Sequence, residues 1–193
     1  MKNRYIYYIF SSYIKSFLFY KKFGFKSIVL HPIDIIGKDY ISIGKGCFIY
    51  KHARIEAVSE YMQTLYSPKI EIGDKVYIQQ NFHCTCANLV KIGDGTSITP
   101  NVGIFDIIHP YENVYVNPRE QSIRTKPVII GKNCLIGMNS VILPGTILGE
   151  HCVVGANSVV SGVFDDFSIL AGAPAKVVKK YDNKKAEWIC IKS

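Results

Sequence analysis

The chain has 193 residues, a formal net charge of +8, 48% hydrophobic residues and 20% charged ones. That balance excludes a disordered polar chain, and no run of 18 uninterrupted apolar residues is present to cross a membrane as a helix. The length suits one domain with a sizeable core, and nothing Ser-, Pro- or Gly-rich reads as a linker. The positive charge admits a nucleic acid, an anionic membrane surface or an acidic small molecule as partner, or serves solubility alone. Nucleic acid is the weakest of these, because the lysines are dispersed and no helix-turn-helix or zinc-finger spacing occurs.

Residues 1–26 form an amphipathic entry segment. Ile6, Phe10, Tyr13, Phe17 and Tyr20 lie three or four apart, and Lys2, Arg4, Lys15, Lys21, Lys22 and Lys26 flank them, a pattern that predicts a helix with an aromatic stripe. The stripe either caps the first turn of the domain that follows or rests peripherally on an anionic leaflet at the inner face of the cytoplasmic membrane. Polar Ser11, Ser12 and Lys15 interrupt the apolar run and no small-residue cleavage site follows, so a secretory leader is not expected.

Residues 27–178 form the main domain. Ile130, Ile136, Ile142, Leu148, Val154 and Val160 recur every six residues. Neither a helix nor a half-buried strand has that period, whereas a coil of three short strands does, which predicts an all-β solenoid. Gly131, Gly137, Gly149 and Gly155 follow the aliphatics, and small residues (Cys134, Ser140, Thr146, Cys152, Ser158) stand four places on, so that three walls approach closely. The register continues upstream through Ile43, Ile72, Ile92 and Ile98 and is broken twice, over Lys51–Lys69 and over Asp106–Lys126. Insertions into a solenoid leave it as loops, here chiefly a loop over 106–127. Residues 179–193 read as a C-terminal tail. Of the six cysteines, Cys47, Cys134 and Cys152 occupy the small inward position. They read as reduced core residues, which fits a cytoplasmic address.

The second break carries the best chemistry. His109 precedes Pro110 in a polar loop leaving a rigid coil, and a neutral imidazole can take a proton from a hydroxyl near neutral pH. Asp106, three residues earlier, either orients that ring or caps the turn. His83, Cys84 and Cys86 cluster in QQNFHCTCAN, but a catalytic zinc needs further imidazoles close by, so no metal is expected.

The His109 loop, the run VIIGKNCLIGMNSVILPGTILGEHCVVGANSVVSG and the tail AGAPAK together resemble the hexapeptide-repeat acyltransferases, in particular the sugar O-acetyltransferase branch that includes galactoside, maltose and nodulation-factor enzymes. The resemblance covers about residues 70–181. It implies a left-handed parallel β-helix with short N-terminal and C-terminal helical appendages, a homotrimer, and acetyl-CoA bound between neighbouring subunits. It implies His109 as the base that deprotonates the acceptor hydroxyl, with direct attack on the thioester and no acyl-enzyme. Carried over by position, Met138, Ala156, Ser161, Gly162, Lys176 and Lys179 would hold acetyl-CoA, the two lysines meeting its phosphates. Asn81, His83 and Asp106 would serve the acceptor, a sugar or oligosaccharide of a surface polysaccharide such as lipopolysaccharide O-antigen or capsule. The chain departs from the family pattern at Leu135, where Trp is common, and at Met138 and Gly162. Competing readings are a xenobiotic (streptogramin-type) or amino-sugar N-acetyltransferase and a non-catalytic binding solenoid.

Overall fold

The computed structural model describes residues 20–191. Most of the expected amphipathic helix lies outside them. Three parallel sheets run the length of the molecule and form the walls of a triangular prism. The first wall starts at Lys22–Phe23 and ends at Val163–Phe164, the second runs from Ile28–Val29 to Ser168–Gly172, and the third from Asp34–Ile36 to Val159–Val160. Among the described residues the coil therefore begins at residue 22, inside the segment expected to be helical.

In the regular part, Ile130 pairs with Leu148, Ile136 with Val154 and Ile142 with Val160, each eighteen positions on, which is three hexapeptides per coil. Each short strand points one side chain inward and one outward, and the inward aliphatics are buried in a single cluster. Burying each contributes about 1.5–3 kcal/mol. Stacking is close at the corners: a Cβ on Gly131 would stand 2.3 Å from the carbonyl oxygen of Gly149. The small inward residues do more than fit. Ser27 Oγ, Cys47 Sγ, Thr96 Oγ1, Cys134 Sγ and Ser140 Oγ each donate to a carbonyl of the adjacent coil, at 2.6–3.2 Å, satisfying groups that a buried corner would otherwise orphan.

The corner between the second and third walls is held by a ladder. Asn81, Asn101, Asn139 and Asn157 all adopt positive φ, and each amide of the first three donates to the next carbonyl at 2.9–3.0 Å. Asparagine tolerates that conformation and bonds its own kind across the stack. The corner between the third and first walls has no such ladder, and every insertion uses it. The register lengthens there by residues 58–68, by Ala87 and Asn88, and by 106–127. Lys51–Ala57, expected to belong to the first break, instead includes the regular strand Arg54–Ala57.

The C-terminal appendage is a β-hairpin, not a helix. After Ser168–Gly172 the chain reverses, Ala175–Asp182 runs antiparallel to it, and Glu187–Cys190 pairs on the outside. Buried Ala175 and half-buried Val177 pack on the last coil and cover its open end. The strand crosses residues 178 and 179 without a break, so the expected tail boundary there is absent.

Candidate active site

Outward-facing residues of the third wall supply the floor. Register places Arg54, His83 and Gly103 in one row and Glu56, Thr85 and Phe105 in the next. Gly103 leaves room for the Phe105 ring, which a Cβ there would meet at 2.7 Å. Phe105 lies edge-on to His83, with ring centroids 5.3 Å apart. Over this floor hang the two long insertions. The first contains a hairpin, Glu60–Tyr61 with Thr64–Leu65. The second contains an antiparallel ribbon, Ile107–Ile108 with Arg124–Thr125, and a short 3-10 turn at Pro118–Glu120 capped by Asn117. Between floor and loops lies a groove of about 660 Å³ lined by Arg54, Glu56, Tyr61, His83, Thr85, Phe105, His109 and Arg119 among others.

Two histidines thus face one space, and their surroundings separate their roles. Arg54 Nη1 donates to His83 Nε2 at 3.0 Å, while Arg54 Nη2 bridges to Glu56 at 2.8 Å. A guanidinium only donates, so that ring nitrogen carries no proton and its lone pair is engaged. Burial, and then the neighbouring charge of Arg54, hold the His83 pKa below its ordinary 6.5. His83 is a neutral, fixed imidazole suited to holding a polar group. His109 is exposed at the groove, and among the described residues no hydrogen bond occupies either ring nitrogen. Of the two, only His109 has a lone pair free for a substrate proton.

Asp106 is placed differently from the expectation that it serves the acceptor or the His109 ring. It is fully buried and does not line the groove. Its oxygens accept from the backbone amides of Ala87, Asn88 and Leu89 at 2.7–2.8 Å and from Cys86 Sγ at 3.2 Å. It anchors the root of the second insertion to the neighbouring coil. Asn81 likewise stands in the corner ladder and not in the groove. Cys84 and Cys86 point into the core, opposite to His83, and burial pushes the Cys84 thiol well up and that of Cys86 up to about 12. Among the described residues no group of three His, Cys, Asp or Glu could hold a metal.

The six donor positions fall in three places on one protomer. Met138 and Ala156 adjoin the asparagine ladder, where Met138 O accepts from the amide of Asn157. Ser161 and Gly162 turn the corner between the third and first walls, Gly162 with φ of +123°. Lys176 and Lys179 lie exposed on the C-terminal hairpin, without an ion pair among the described residues, whereas Lys180 is bound to Asp165. None of the six lines the groove. Arg54, Tyr61, Phe105 and Arg119 are groove residues that the sequence did not mark, because the insertions hide the register that aligns them.

A parallel β-helix of hexapeptides with a histidine loop over one wall defines a recognisable class. A family profile described as the hexapeptide repeat of succinyl-transferase matches residues 127–161. The Escherichia coli K12 protein named "Putative lipopolysaccharide biosynthesis O-acetyl transferase WbbJ" is 35% identical over 126 residues, 62% of this chain and 64% of that one. Nodulation protein L of Rhizobium meliloti is 43% identical over 115 residues, 58% of this chain and 60% of that one. The chain thus spans less than two thirds of either relative. In fold it matches AntD, an N-acyltransferase from Bacillus cereus solved with dTDP and 3-hydroxybutyryl-CoA, with TM-score 0.71, 20% identity and 89% of each chain covered. The chain carries hexapeptide repeats and is similar to acyltransferases built on them, and its coil is a left-handed β-helix like that of the solved ones.

Proposed function

We propose that the protein is an acetyl-CoA-dependent O-acetyltransferase that esterifies a sugar hydroxyl of a bacterial surface polysaccharide in the cytoplasm, with His109 as general base. The observation that carries this reading is the pair of histidines in one groove, of which His83 is engaged by Arg54 and His109 is free. The acceptor hydroxyl passes its proton to His109 as its oxygen attacks the thioester carbonyl. The tetrahedral oxyanion collapses, and the departing thiolate takes the proton from the imidazolium to give coenzyme A and the acetyl ester. No cysteine is needed: five of the six are buried, and the exposed Cys190 lies on the C-terminal hairpin away from the groove lining. The groove also suits a sugar, since Tyr61 and Phe105 offer ring surfaces to its C–H faces and Arg54, Glu56 and Thr85 offer partners for its hydroxyls.

The proposed donor site is one that a homotrimer completes. Met138 with Ala156 and Ser161 with Gly162 occupy different corners, so a cleft using both sets is completed by a neighbouring subunit about a threefold axis. The exposed Lys176 and Lys179 fit the polyanionic end of acetyl-CoA. The test is thiol release from acetyl-CoA across a panel of surface-polysaccharide oligosaccharides, with mass spectrometry for a gain of one acetyl group. Wild-type protein should transfer acetyl, and His109→Ala should lose at least a hundredfold in kcat. Unchanged turnover in that variant would remove the base assignment. A product resistant to hydroxylamine would be an amide and would favour an amino-sugar acceptor instead.

A further inference from the structure

The hairpin of the first insertion forms one wall of the groove, and the reaction described above uses no more of it than the ring surface of Tyr61. We propose that Tyr61 is a positioning residue that fixes the imidazole of His109, and that its hairpin clasps the histidine loop over the groove. This rests on His109 being the base. The Tyr61 and His109 rings meet edge to face, with centroids 5.7 Å apart and planes at 71°. Both ring nitrogens of His109 lack hydrogen-bond partners among the described residues, and this aromatic contact restrains the ring.

The same hairpin holds the other limb of the histidine loop. Tyr61 Oη donates to Arg119 O at 2.5 Å, Thr64 Oγ1 and Ser122 Oγ share a bond of 2.7 Å, and Tyr66 Oη donates to Ile123 O at 2.9 Å. One short hairpin therefore grips the outgoing limb through a ring and the returning limb through three hydrogen bonds. These two insertions leave the coil at the same corner but two coils apart, so the clasp spans the intervening turn at Ala87 and Asn88. The hairpin is itself held under strain. Its two-residue turn is Met62-Gln63 with φ of 45° and 59°, a conformation for which Asn-Gly is the usual choice. A base must sit within a fraction of an ångström of its proton, and a misplacement of about 1 Å can cost about a hundredfold.

The experiment compares Tyr61→Phe, which keeps the ring and loses one clasp bond, with Tyr61→Ala and Tyr61→Leu, which lose the ring. Turnover is followed as thiol release from acetyl-CoA with the oligosaccharide acetylated by wild type, or with water as acceptor if none is. In parallel, the His109 Cε1–H signal is recorded in protein labelled with ¹³C-histidine and assigned with His109→Asn. We expect the Ala and Leu variants to lose at least tenfold in kcat with KM for acetyl-CoA within twofold, and the Phe variant to keep at least a third of wild-type kcat. The His109 signal should move in Ala and Leu and stay in Phe, because the Tyr61 ring current is removed in the first two alone. A kcat within twofold of wild type in Tyr61→Leu, or an unmoved signal, would overturn the inference. Turnover surviving in His109→Ala would overturn the base reading instead, and the labelled spectra would still decide the contact.

Discussion

Replacing Asp106 by Asn changes one atom and tests what the carboxylate is for. In the native chain Oδ2 takes the amides of Asn88 and Leu89 and the thiol of Cys86, while Oδ1 takes the amide of Ala87. An asparagine can place its oxygen at the first position only by turning its NH₂ toward the Ala87 N–H, so one charge-assisted bond becomes two donors facing each other in a buried site. Losing that bond costs about 1.5–3 kcal/mol. The two amide bonds that remain become neutral ones of roughly half the strength, which brings the total to about 3 kcal/mol after relaxation. For a chain of this length 1 kcal/mol corresponds to roughly 2–4 °C, so Tm should fall by about 6–12 °C. Circular dichroism melts at fixed protein concentration measure it, since an oligomer makes Tm concentration-dependent. A Tm within about 2 °C of wild type would refute the anchor. A kcat abolished at temperatures where the variant is fully folded would refute it differently, by showing that Asp106 acts on the reaction itself.

Four further outcomes follow from the same geometry. The folded chain holds the proton of His83 less tightly than the unfolded chain, so the unfolded state binds more protons below about pH 6.5 and stability falls as pH drops from 6.5 toward the folded value; His83→Gln should flatten the fall in Tm between pH 7.5 and 5, and an unchanged slope would contradict the lowering of the His83 pKa by burial and Arg54. Asn81→Ala should cost about 1–2 kcal/mol, from a positive φ without asparagine and a lost ladder bond, while leaving kcat and KM for the acceptor unchanged. Ellman's reagent should titrate one thiol in the native protein, Cys190, and all six after unfolding; more than one fast thiol would show the core to be open. Met62→Asn combined with Gln63→Gly should raise Tm by relieving the turn, by about 1 kcal/mol, and a lower Tm would mean the hairpin is held by contacts of those two side chains.

The repeat was legible in the sequence because each hexapeptide reports its own inward residue, and the wall positions of Ile43, Ile72 and Ile92 follow from Ile130 by register alone. The ends were less legible. The inward residues of the first coil are Phe23, Val29 and Ile35, only partly buried, and of these only Phe23 has the following glycine (Gly24) and the small residue four places on (Ser27), so the coil began unseen inside a segment whose aromatic spacing read as helical. At the other end AGAPAKVVKKYD alternates too weakly to show a strand, and its pairing with Ser168–Gly172 depends on a reversal at Gly172.

The site divides along the same line. His109 was readable because a histidine beside a proline in a polar break is a local signal, whereas His83 was named by its position in the resemblance to the sugar O-acetyltransferases. Asp106 misled for a physical reason: three residues from His109 in sequence, it takes its partners from the coil seventeen to twenty residues earlier. Arg54 and Tyr61 carried no local signal at all. Arg54 reaches His83 only because residues 58–68 are looped out at the corner between the third and first walls, which restores the register of the third wall. Tyr61 reaches His109 because the later insertion leaves at that same corner. The corner between the third and first walls is therefore what turns two unrelated breaks in the repeat into one groove.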